Sequence, residues 1–588
     1  MTEQLLQRWA QALGGRERLG TVNTLYIRSR IAMGGLTGTV EEWCTAQGRR
    51  RESFELAGVY KNLTVFDRGR AWVLDQNGKV RELAGVELED EVTSTYLDSF
   101  AHLVPGRMAG TAEPAGGGAV RFRPTGGRPV TFHLDAQTGL PLRHERPQAE
   151  RTVTTTFDDW REVEGVFFPW HARQSSGDPQ YDIVVELEEV RLNQPVDAAA
   201  FAPPAEAAPD FTFATGHSAH GIPIELTSNH IYLQVWVNDA GPLWFLLDTG
   251  AGGSCIDNAQ ARALGLALQG KMEGRGAGEG STDVALIAGV TFRLPGVEVA
   301  DQTVAAITLE PLAPFEGRPM HGILGYDFIS RFVVEIDYAA GQLHLYDPRH
   351  YSYAGTGERL AIFLEGNVPF LHAELAYPER APLPAQFLLD TGARVALVLN
   401  KPFCEAHGLV PARTITAPFG IGVGGETKQY IGRVPRVQLG GVALTDLVAG
   451  FSQDVKGAGA DPDRAGLIGG EVLRRFTTVW DYTRGQLFLE PNAHFAEPYE
   501  YDMSGLLLAG VGEPPDTFRV HRVVADSPAA EAGLQEGDVV AAVDGRPARE
   551  YTLEQVRLAL KERGRQVRLT VQRAGAEREV VLALRRLI

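Results

Sequence analysis

Cysteine is scarce in this chain, and long apolar stretches are missing. Only three of the 588 residues are cysteine (Cys44, Cys255 and Cys404), and their spacing does not match that of a metal site, which argues against a disulfide framework and a cysteine-based zinc site. No stretch reaches the roughly 20 apolar residues of a membrane-spanning helix. The first residues lack a basic segment followed by an apolar core, so we expect no signal peptide in this sequence.

Positive charge is limited as well. The 74 acidic residues outnumber the 56 lysines and arginines, which gives a net charge of −18. Since nucleic acid recognition needs a basic face, we expect no nucleic acid partner. Only the segment from Arg563 onward is rich in arginine, and we interpret it as a solvated edge. Neither a Gly-x-Ser-x-Gly elbow nor a His-Glu-x-x-His helix is present, so the sequence does not indicate those two hydrolytic mechanisms.

The length and composition predict several soluble domains. A chain of 588 residues, 44% hydrophobic and 22% charged, is too long for one core, so three or four domains are expected. The Pro- and Ala-rich stretch 198–209 marks the clearest boundary,. Helical periodicity near the start gives way to alternation from about residue 22 to 192. We therefore expect a curved antiparallel β domain at 1–200, a linker at 201–219, two lobes at 220–350 and 355–495, and a further domain at 498–588.

The two lobes are predicted from an internal repeat. Phe-Leu-Leu-Asp-Thr-Gly-Ala occurs at 245–251 and again at 387–393. Three later segments recur in the same order at a shift of 144 residues, beginning with Gly322-Ile323-Leu324-Gly325 and Gly466-Leu467-Ile468-Gly469. A period this long indicates two copies of a domain. Each copy contributes one carboxylate, Asp248 or Asp390, and two carboxylates brought face to face share one proton and can perform hydrolysis.

With this repeat, residues 220–495 resemble the retroviral-type aspartic proteases, with two lobes fused in one chain. The resemblance implies that Asp248 and Asp390 are the catalytic dyad, one as general base on a water and the other as donor to the scissile carbonyl. Since both halves lie in one chain, no second chain is needed for the active site. The resemblance also implies supporting and substrate-covering residues. The dyad-supporting residues are Thr249, Gly250, Thr391 and Gly392, and the flap residues are Gly276, Ala277, Gly278, Gly422, Val423 and Gly424.

The residue after each Asp-Thr-Gly sets an expectation for pH. It is alanine in both copies, Ala251 and Ala393, where pepsin-like enzymes have a hydroxyl that lowers the pKa of the carboxylate. We therefore expect a pH optimum between about 4.5 and 7, milder than that of pepsin. The copies then diverge, because Arg394 follows the second alanine. Its side chain either turns inward towards Asp390 or points to solvent, and we expect the latter.

Two further patterns have a structural explanation instead of a functional one. Gly420-x-Gly422-x-x-Gly425 matches a dinucleotide fingerprint, but Gly432 and Pro435 interrupt the helix that such a loop must open. His217 and His220 lie in the expected linker without a carboxylate or thiol partner nearby in sequence, so we expect an exposed loop. The sequence thus predicts neither a cofactor nor a metal.

The first domain resembles the half-barrel proteins related to bacterial lipoprotein carriers. The resemblance rests on Ala12–Gly15, on residues 135–143 and on residues 157–169. It implies an apolar groove for a lipid or a client protein, and a spacer or chaperone-like prodomain is the alternative. It also favours a periplasmic or cell-envelope location, with the cytoplasm as the alternative.

The last domain resembles a bacterial PDZ domain. The segment from Val523 to Leu534 followed by Gly537-Asp538-Val539-Val540 carries this resemblance. It implies that a peptide's C-terminus binds beside a loop and a helix, at Gly505, Leu506, Leu507, Leu508 and Val556. A degenerate PDZ that only packs on the protease lobes is the alternative.

Taken together, the sequence predicts a mainly β, multidomain protein: a curved antiparallel sheet, a double-lobed all-β acid-protease fold and a β-rich α+β PDZ domain. The predicted function is an aspartic endopeptidase with a polypeptide substrate. The alternatives are a non-catalytic envelope adaptor and an assembly domain that self-associates through its flaps.

Overall fold

The structure is a computed structural model that describes residues 2–378, 380–417, 420–512 and 514–588. Strands make up 49% of it and helices 15%, which confirms the predicted mainly β, multidomain fold. None of the helices in these ranges has the length and apolarity needed to cross a membrane.

The N-terminal domain is one antiparallel sheet of thirteen strands in the order β6-β5-β4-β3-β2-β1-β13-β12-β11-β10-β9-β8-β7. Its apolar side chains pack with two helices, since Trp9 of α1 lies 4.8 Å from the Phe132 ring and Tyr96 of α3 joins the same core. The elements are α1 (Thr2–Ala12), α2 (Arg16–Gly20), β1 (Thr24–Met33), β2 (Leu36–Thr45), β3 (Arg49–Leu56), β4 (Tyr60–Asp67), β5 (Arg70–Leu74), β6 (Val80–Glu82), α3 (Gly85–Asp98), β7 (Gly110–Gly116), β8 (Ala119–Pro124), β9 (Val130–Leu134), β10 (Pro141–Gln148), β11 (Arg151–Val163), β12 (Val166–Ser175) and β13 (Ile183–Leu192).

The helix α3 interrupts what the sequence predicts as strands alone. Its apolar residues Leu88, Val92 and Tyr96 recur every four positions, which is a helical spacing. Val92 and Tyr96 are buried.

Lobe 1 contains a nine-stranded sheet and its parallel strand pair β18–β23 carries the first motif. Its elements are β14 (Phe211–Phe213), β15 (Ser218–Pro223), β16 (Glu225–Thr227), β17 (His230–Val237), β18 (Ala240–Leu247), β19 (Cys255–Asp257), α4 (Asn258–Ala263), β20 (Gln269–Gly274), β21 (Thr282–Leu294), β22 (Val297–Ile307), α5 (Ala313–Glu316), β23 (Gly322–Leu324), α6 (Tyr326–Ile329), β24 (Val333–Asp337) and β25 (Gln342–Tyr346).

Lobe 2 repeats this arrangement in an eight-stranded sheet, where the parallel pair β29–β36 carries the second motif. Its elements are β26 (Glu358–Ala361), β27 (Phe363–Glu365), β28 (Val368–Ala376), β29 (Leu383–Asp390), β30 (Leu397–Leu399), α7 (Lys401–His407), β31 (Ile415–Ala417), β32 (Ile421–Gly422), β33 (Gly425–Glu426), β34 (Gln429–Leu439), β35 (Val442–Ser452), β36 (Gly466–Gly469), α8 (Gly470–Leu473), β37 (Phe476–Asp481) and β38 (Gln486–Pro491).

A six-stranded sheet joins the lobes. It takes three strands from each lobe in the order β15-β25-β24-β37-β38-β26, and the central antiparallel contact pairs Ile336 with Thr478. One apolar core extends through both lobes and contains Phe245 and Phe387 of the two motifs, both fully buried. This shared sheet and core fix the positions of the two motifs relative to each other.

The C-terminal domain has its own core and a six-stranded sheet in which β39 is at one edge. Its elements are β39 (Leu506–Val511), β40 (Thr517–Val523), α9 (Pro528–Glu531), β41 (Val539–Val543), β42 (Arg546–Pro547), α10 (Leu553–Ala559), β43 (Gln566–Arg573) and β44 (Ala576–Ala583).

One local expectation differs from the structure. The expected linker contains β14, because Phe211 and Phe213 pack on Phe332, with ring centroids 5.0 and 5.7 Å away. The C-terminal arginines lie at the surface of the PDZ domain, where Arg573 binds Asp538 at 2.6 Å and Arg585 binds Glu531 at 2.7 Å.

Candidate active site

The two Asp-Thr-Gly loops meet where the parallel strands of each lobe end. In lobe 1 the Asp248 N–H donates to the carbonyl of Leu324 at 2.9 Å. In lobe 2 Asp390 is in register with Gly469 of β36. Since the apolar residues before each aspartate are buried in the common core, both carboxylates are delivered to the boundary between the lobes.

The carboxyl groups of Asp248 and Asp390 lie opposite each other at this boundary, close enough for the charge of Asp248 to raise the pKa of Asp390. Each also accepts a 2.8 Å bond from a backbone N–H of its own loop, from Gly250 and Gly392 respectively. Each glycine faces the opposite aspartate: a Cβ on Gly250 would lie 2.6 Å from Asp390 Cγ, and one on Gly392 would lie 2.3 Å from Asp248 Cγ. Only glycine therefore permits this approach of the two carboxyls.

The two threonines connect the loops in a symmetric pattern. The Thr249 hydroxyl donates to the carbonyl of Leu389 at 2.8 Å, and the Thr391 hydroxyl donates to that of Leu247 at 2.8 Å. Each hydroxyl also accepts the backbone N–H of the other threonine at 3.0 Å. Both side chains are buried. These four bonds hold the dyad loops of the two lobes in one geometry.

Burial raises the pKa of both aspartates, because the low-polarity surroundings disfavour the ionised form,. The negative charge of Asp248 raises the pKa of Asp390 further, to well above its ordinary value. The N–H of Gly250, the carboxyl of Asp390 and the charge of His230 act in the opposite direction on Asp248. The pair thus favours a state in which the two carboxyls share one proton.

Two glycine-rich hairpins meet at their tips. Flap 1 comprises β20, β21 and the loop between them, and flap 2 comprises residues 420–431. The Gly424 N–H donates to the carbonyl of Ala277, and the Gly280 N–H donates to that of Gly424, both at 2.9 Å. A Cβ on Gly278 would lie 2.4 Å from the carbonyl carbon of Gly424. The flaps are therefore closed against each other.

Flap 2 also reaches the opposite lobe. Val423 packs on an apolar cluster of lobe 1 that includes Leu246, Ile323 and Ala251, the last of which follows the Asp248 loop. Gly276 and Gly422 lie in the same tip contact, since a Cβ on either would be 2.7 Å from Val423 Cγ2 or Ala277 Cβ. The six predicted flap residues are thus brought together beside the dyad.

The comparisons with known proteins agree with this geometry. Residues 233–328 and 382–472 each match the family model described as aspartyl protease, and residues 519–573 match the one described as PDZ domain. The chain carries two aspartyl protease lobes and a PDZ domain. With the N-terminal β domain, this is the domain architecture that the sequence predicts.

Some solved structures are similar to parts of the chain. A LolA superfamily protein from Nitrosomonas europaea is 11% identical and covers 34% of this chain and 97% of its own, with a TM-score of 0.25. A retropepsin-like aspartic protease from Rickettsia conorii is 18% identical and covers 22% of this chain and 90% of its own, with a TM-score of 0.16. No curated protein matches the chain. The family models therefore carry the domain assignment.

The protease lobes hold a buried ion-pair network that the sequence does not reveal. Arg394 does not point to solvent, because its guanidinium binds Glu316 of α5 at 2.5 Å. His230 and the Tyr232 hydroxyl contact the same carboxylate at 2.8 Å. Although burial alone would raise it, the pKa of Glu316 lies far below its ordinary value because of His230 and Arg394. These residues are far apart in sequence, and each alone carries no motif.

The flaps of the protease are tied to both flanking domains. In flap 1, Glu273 binds Arg151 at 2.8 Å and Arg275 binds Glu150 at 2.9 Å, both in the N-terminal domain. In flap 2, Glu426 pairs with His521 and Arg522 of the PDZ domain. The two flanking domains thus each contact one of the flaps.

The predicted PDZ residues are only partly open to a ligand. Gly505, Leu506 and Leu508 are buried, Leu507 is half-buried, and Val556 packs into the PDZ core. Backbone N–H groups of the loop are engaged by the chain's own Asp502, whose carboxylate accepts from Ser504 at 2.9 Å and Gly505 at 2.6 Å. On α10, Arg557 and Leu558 line a cavity of about 540 Å³ together with Leu506 and Leu507.

The rejected dinucleotide motif forms a hairpin, β32–β33, followed by a strand instead of a helix. His217 stacks on His350 with centroids 3.6 Å apart, and His220 lies in β15, where the sequence predicts a loop. Among the described residues His217, Asp347 and His350 offer three ligand atoms within 4.8 Å of one another. Arg349 already binds Asp347 at 2.6 Å, so this carboxylate has a cationic partner.

Proposed function

We propose that this protein is an aspartic endopeptidase that hydrolyses peptide bonds with Asp248, Asp390 and an activated water. One observation carries the proposal: each aspartate lies against the glycine of the opposite Asp-Thr-Gly loop in the same chain, which brings the two carboxyls face to face. The threonine cross-links between the two loops support this arrangement. The mechanism needs no cofactor and no metal.

The two carboxyls take different roles in this mechanism. The ionised member of the pair takes a proton from water as the oxygen adds to the scissile carbonyl carbon. The protonated member gives its proton to the carbonyl oxygen, which neutralises the charge that develops there. The resulting diol collapses when the amine leaves with the proton taken from water and a diol hydroxyl returns a proton to the second carboxyl, so that the carboxyl product and a singly protonated dyad remain. Thr249, Gly250, Thr391 and Gly392 keep both carboxyls in position.

The substrate is a polypeptide held in extended form between the dyad and the flaps. Backbone groups around Gly276, Ala277, Gly278, Gly422, Val423 and Gly424 would cover it and exclude water. The PDZ domain would bind the C-terminus of a substrate or partner through the segment Gly505–Leu508. A lipid or client for the N-terminal domain and a cell-envelope location complete the proposal, and cell fractionation tests the latter.

Substitution of each aspartate tests this function. We expect Asp248→Asn and Asp390→Asn each to lower the cleavage of casein at least about 10³-fold, because one carboxyl alone cannot act as both the base and the acid of the reaction. The control is Asp446→Asn, which removes an exposed carboxylate from lobe 2. Circular dichroism verifies the fold of each variant. If either dyad variant cleaves casein like the wild type, the protease proposal is wrong and the alternative, a non-catalytic binding role, is favoured.

A further inference from the structure

The peptide groove of the PDZ domain is covered by a segment of lobe 1. A peptide added to this domain would lie along the edge strand β39 beside α10. Helix α5 lies there instead: a Cβ on Gly510 of β39 would be 3.5 Å from the carbonyl oxygen of Pro314, and one on Gly317 would be 2.7 Å from Leu553 Cβ of α10. The Phe315 ring meets the His521 ring edge-on, 4.9 Å away.

The end of this groove beside Leu507 opens onto a cavity. The cavity of about 540 Å³ lies there, between Leu507 and Leu558 of the PDZ domain and Arg394 of lobe 2. A strand advances about 3.3 Å per residue, so about three residues separate Leu507 from the position of α5 at Gly510. A longer peptide therefore meets α5 before it can pair along β39.

The lobe side of this contact is much firmer than the PDZ side. Glu316 anchors α5 to lobe 1 through His230 and Tyr232 and to lobe 2 through Arg394, all within the buried network. Removing one partner from such a network is costly. On the PDZ side the polar contacts are part-exposed, such as that between Ser228 and Glu554 at 2.5 Å, and contacts of this kind contribute little. When the groove opens, the PDZ domain moves and α5 stays.

Movement of the PDZ domain also changes flap 2. Glu426 of the flap pairs with His521 and Arg522, and His521 is the residue that contacts Phe315. The same strand, β40, thus touches both the groove-covering segment and the flap. Undocking breaks both sets of contacts together.

We propose that the PDZ domain is a latch: docking on α5 and binding of a polypeptide's free, apolar C-terminus exclude each other, and peptide binding releases flap 2. The partner is a chain with an exposed C-terminal carboxylate and apolar last residues, which suit Leu507 and Leu558. The exclusion stands on contacts alone, whereas its effect on cleavage rests on the proposed function.

Peptide binding to the full-length Asp248→Asn protein tests the exclusion. The probe is a fluorescein-labelled decapeptide ending in Ala-Val-Leu with a free carboxylate, followed by anisotropy. We expect Phe315→Ala to tighten binding about three- to tenfold. Loss of the contact between the Phe315 and His521 rings lowers the population of the state in which the PDZ domain is docked on α5. The matched control is Phe363→Ala, which removes a part-buried phenylalanine whose ring lies 5.4 Å from His372 in lobe 2, and it should leave the affinity unchanged. Equal affinities of Phe315→Ala and the control overturn the proposal.

Hydrogen exchange keeps the test independent of any single variant. Saturating probe should speed amide exchange in residues 310–320 and 420–428, and the C-terminally amidated peptide should not. Protection or no change in both segments at saturation contradicts the latch.

The probe should also raise casein cleavage by the wild type. If exchange responds while no cleavage occurs under any condition, the latch stands and the proposed protease function fails.

Discussion

The threonine of each Asp-Thr-Gly loop connects the two protease lobes. Thr391 donates to the carbonyl of Leu247 and accepts the N–H of Thr249. Thr391→Val keeps the shape but leaves both buried backbone groups without this partner. We expect a loss of about 1–3 kcal/mol in the free energy of unfolding, measured with urea. Thr391→Ser, which retains the hydroxyl, should lose less than half as much, and equal losses would contradict the role of the hydroxyl.

The protonation of the dyad predicts the pH dependence of cleavage. Burial raises the pKa of both aspartates, and the charge of Asp248 raises that of Asp390 further. Activity requires one proton on the pair, so raised pKa values move both limbs of the pH–rate profile to higher pH. We expect kcat/KM to peak between about 4.5 and 7, measured with a peptide substrate in constant ionic strength. A maximum below about pH 3 would show that the pKa values of the two carboxyls are not raised.

At the scale of structural elements, the flap tips depend on glycine. A Cβ on Gly424 would lie 2.8 Å from the carbonyl oxygens of Ala277 and Gly280. Gly424→Ala should therefore hinder closure and lower kcat/KM about tenfold or more. Gly420→Ala is the control in the same hairpin, because its Cβ would be 3.8 Å from Thr427 Oγ1. Equal kinetics for both variants would show that tip pairing is not needed for cleavage.

The sequence predicts those features that lie within one short segment or recur along the chain. The repeated heptapeptide shows where the two aspartates lie, and the identity of Thr249 and Thr391 follows from the same repeat. The helices that follow Gly325 and Gly469 are single turns, α6 and α8, because the next strands, β24 and β37, already begin at Val333 and Phe476.

Long-range contacts could not be predicted in this way. Glu316 meets Arg394 across 78 residues and His230 across 86, and no spacing rule joins them. The position of α5 in the PDZ groove likewise depends on how two folded domains dock. Sequence patterns identified the domain, whereas only the structure shows that its groove is covered.

At the scale of the whole molecule, the dyad is intramolecular and both flaps are held by neighbouring domains. The N-terminal domain contacts flap 1 through Glu150 and Arg151, and the PDZ domain contacts flap 2 through His521 and Arg522. Both aspartates belong to one chain, and we propose that the flanking domains control access to them.

A mixing experiment tests the central claim most directly. Asp248→Asn and Asp390→Asn proteins are assayed alone and after mixing in equal amounts, with casein cleavage as the measurement. Because each chain supplies both halves of its own site, we expect cleavage at least about 10³-fold below that of the wild type in all three samples. Cleavage like that of the wild type by either single variant, or its recovery on mixing, would contradict an intramolecular Asp248–Asp390 dyad.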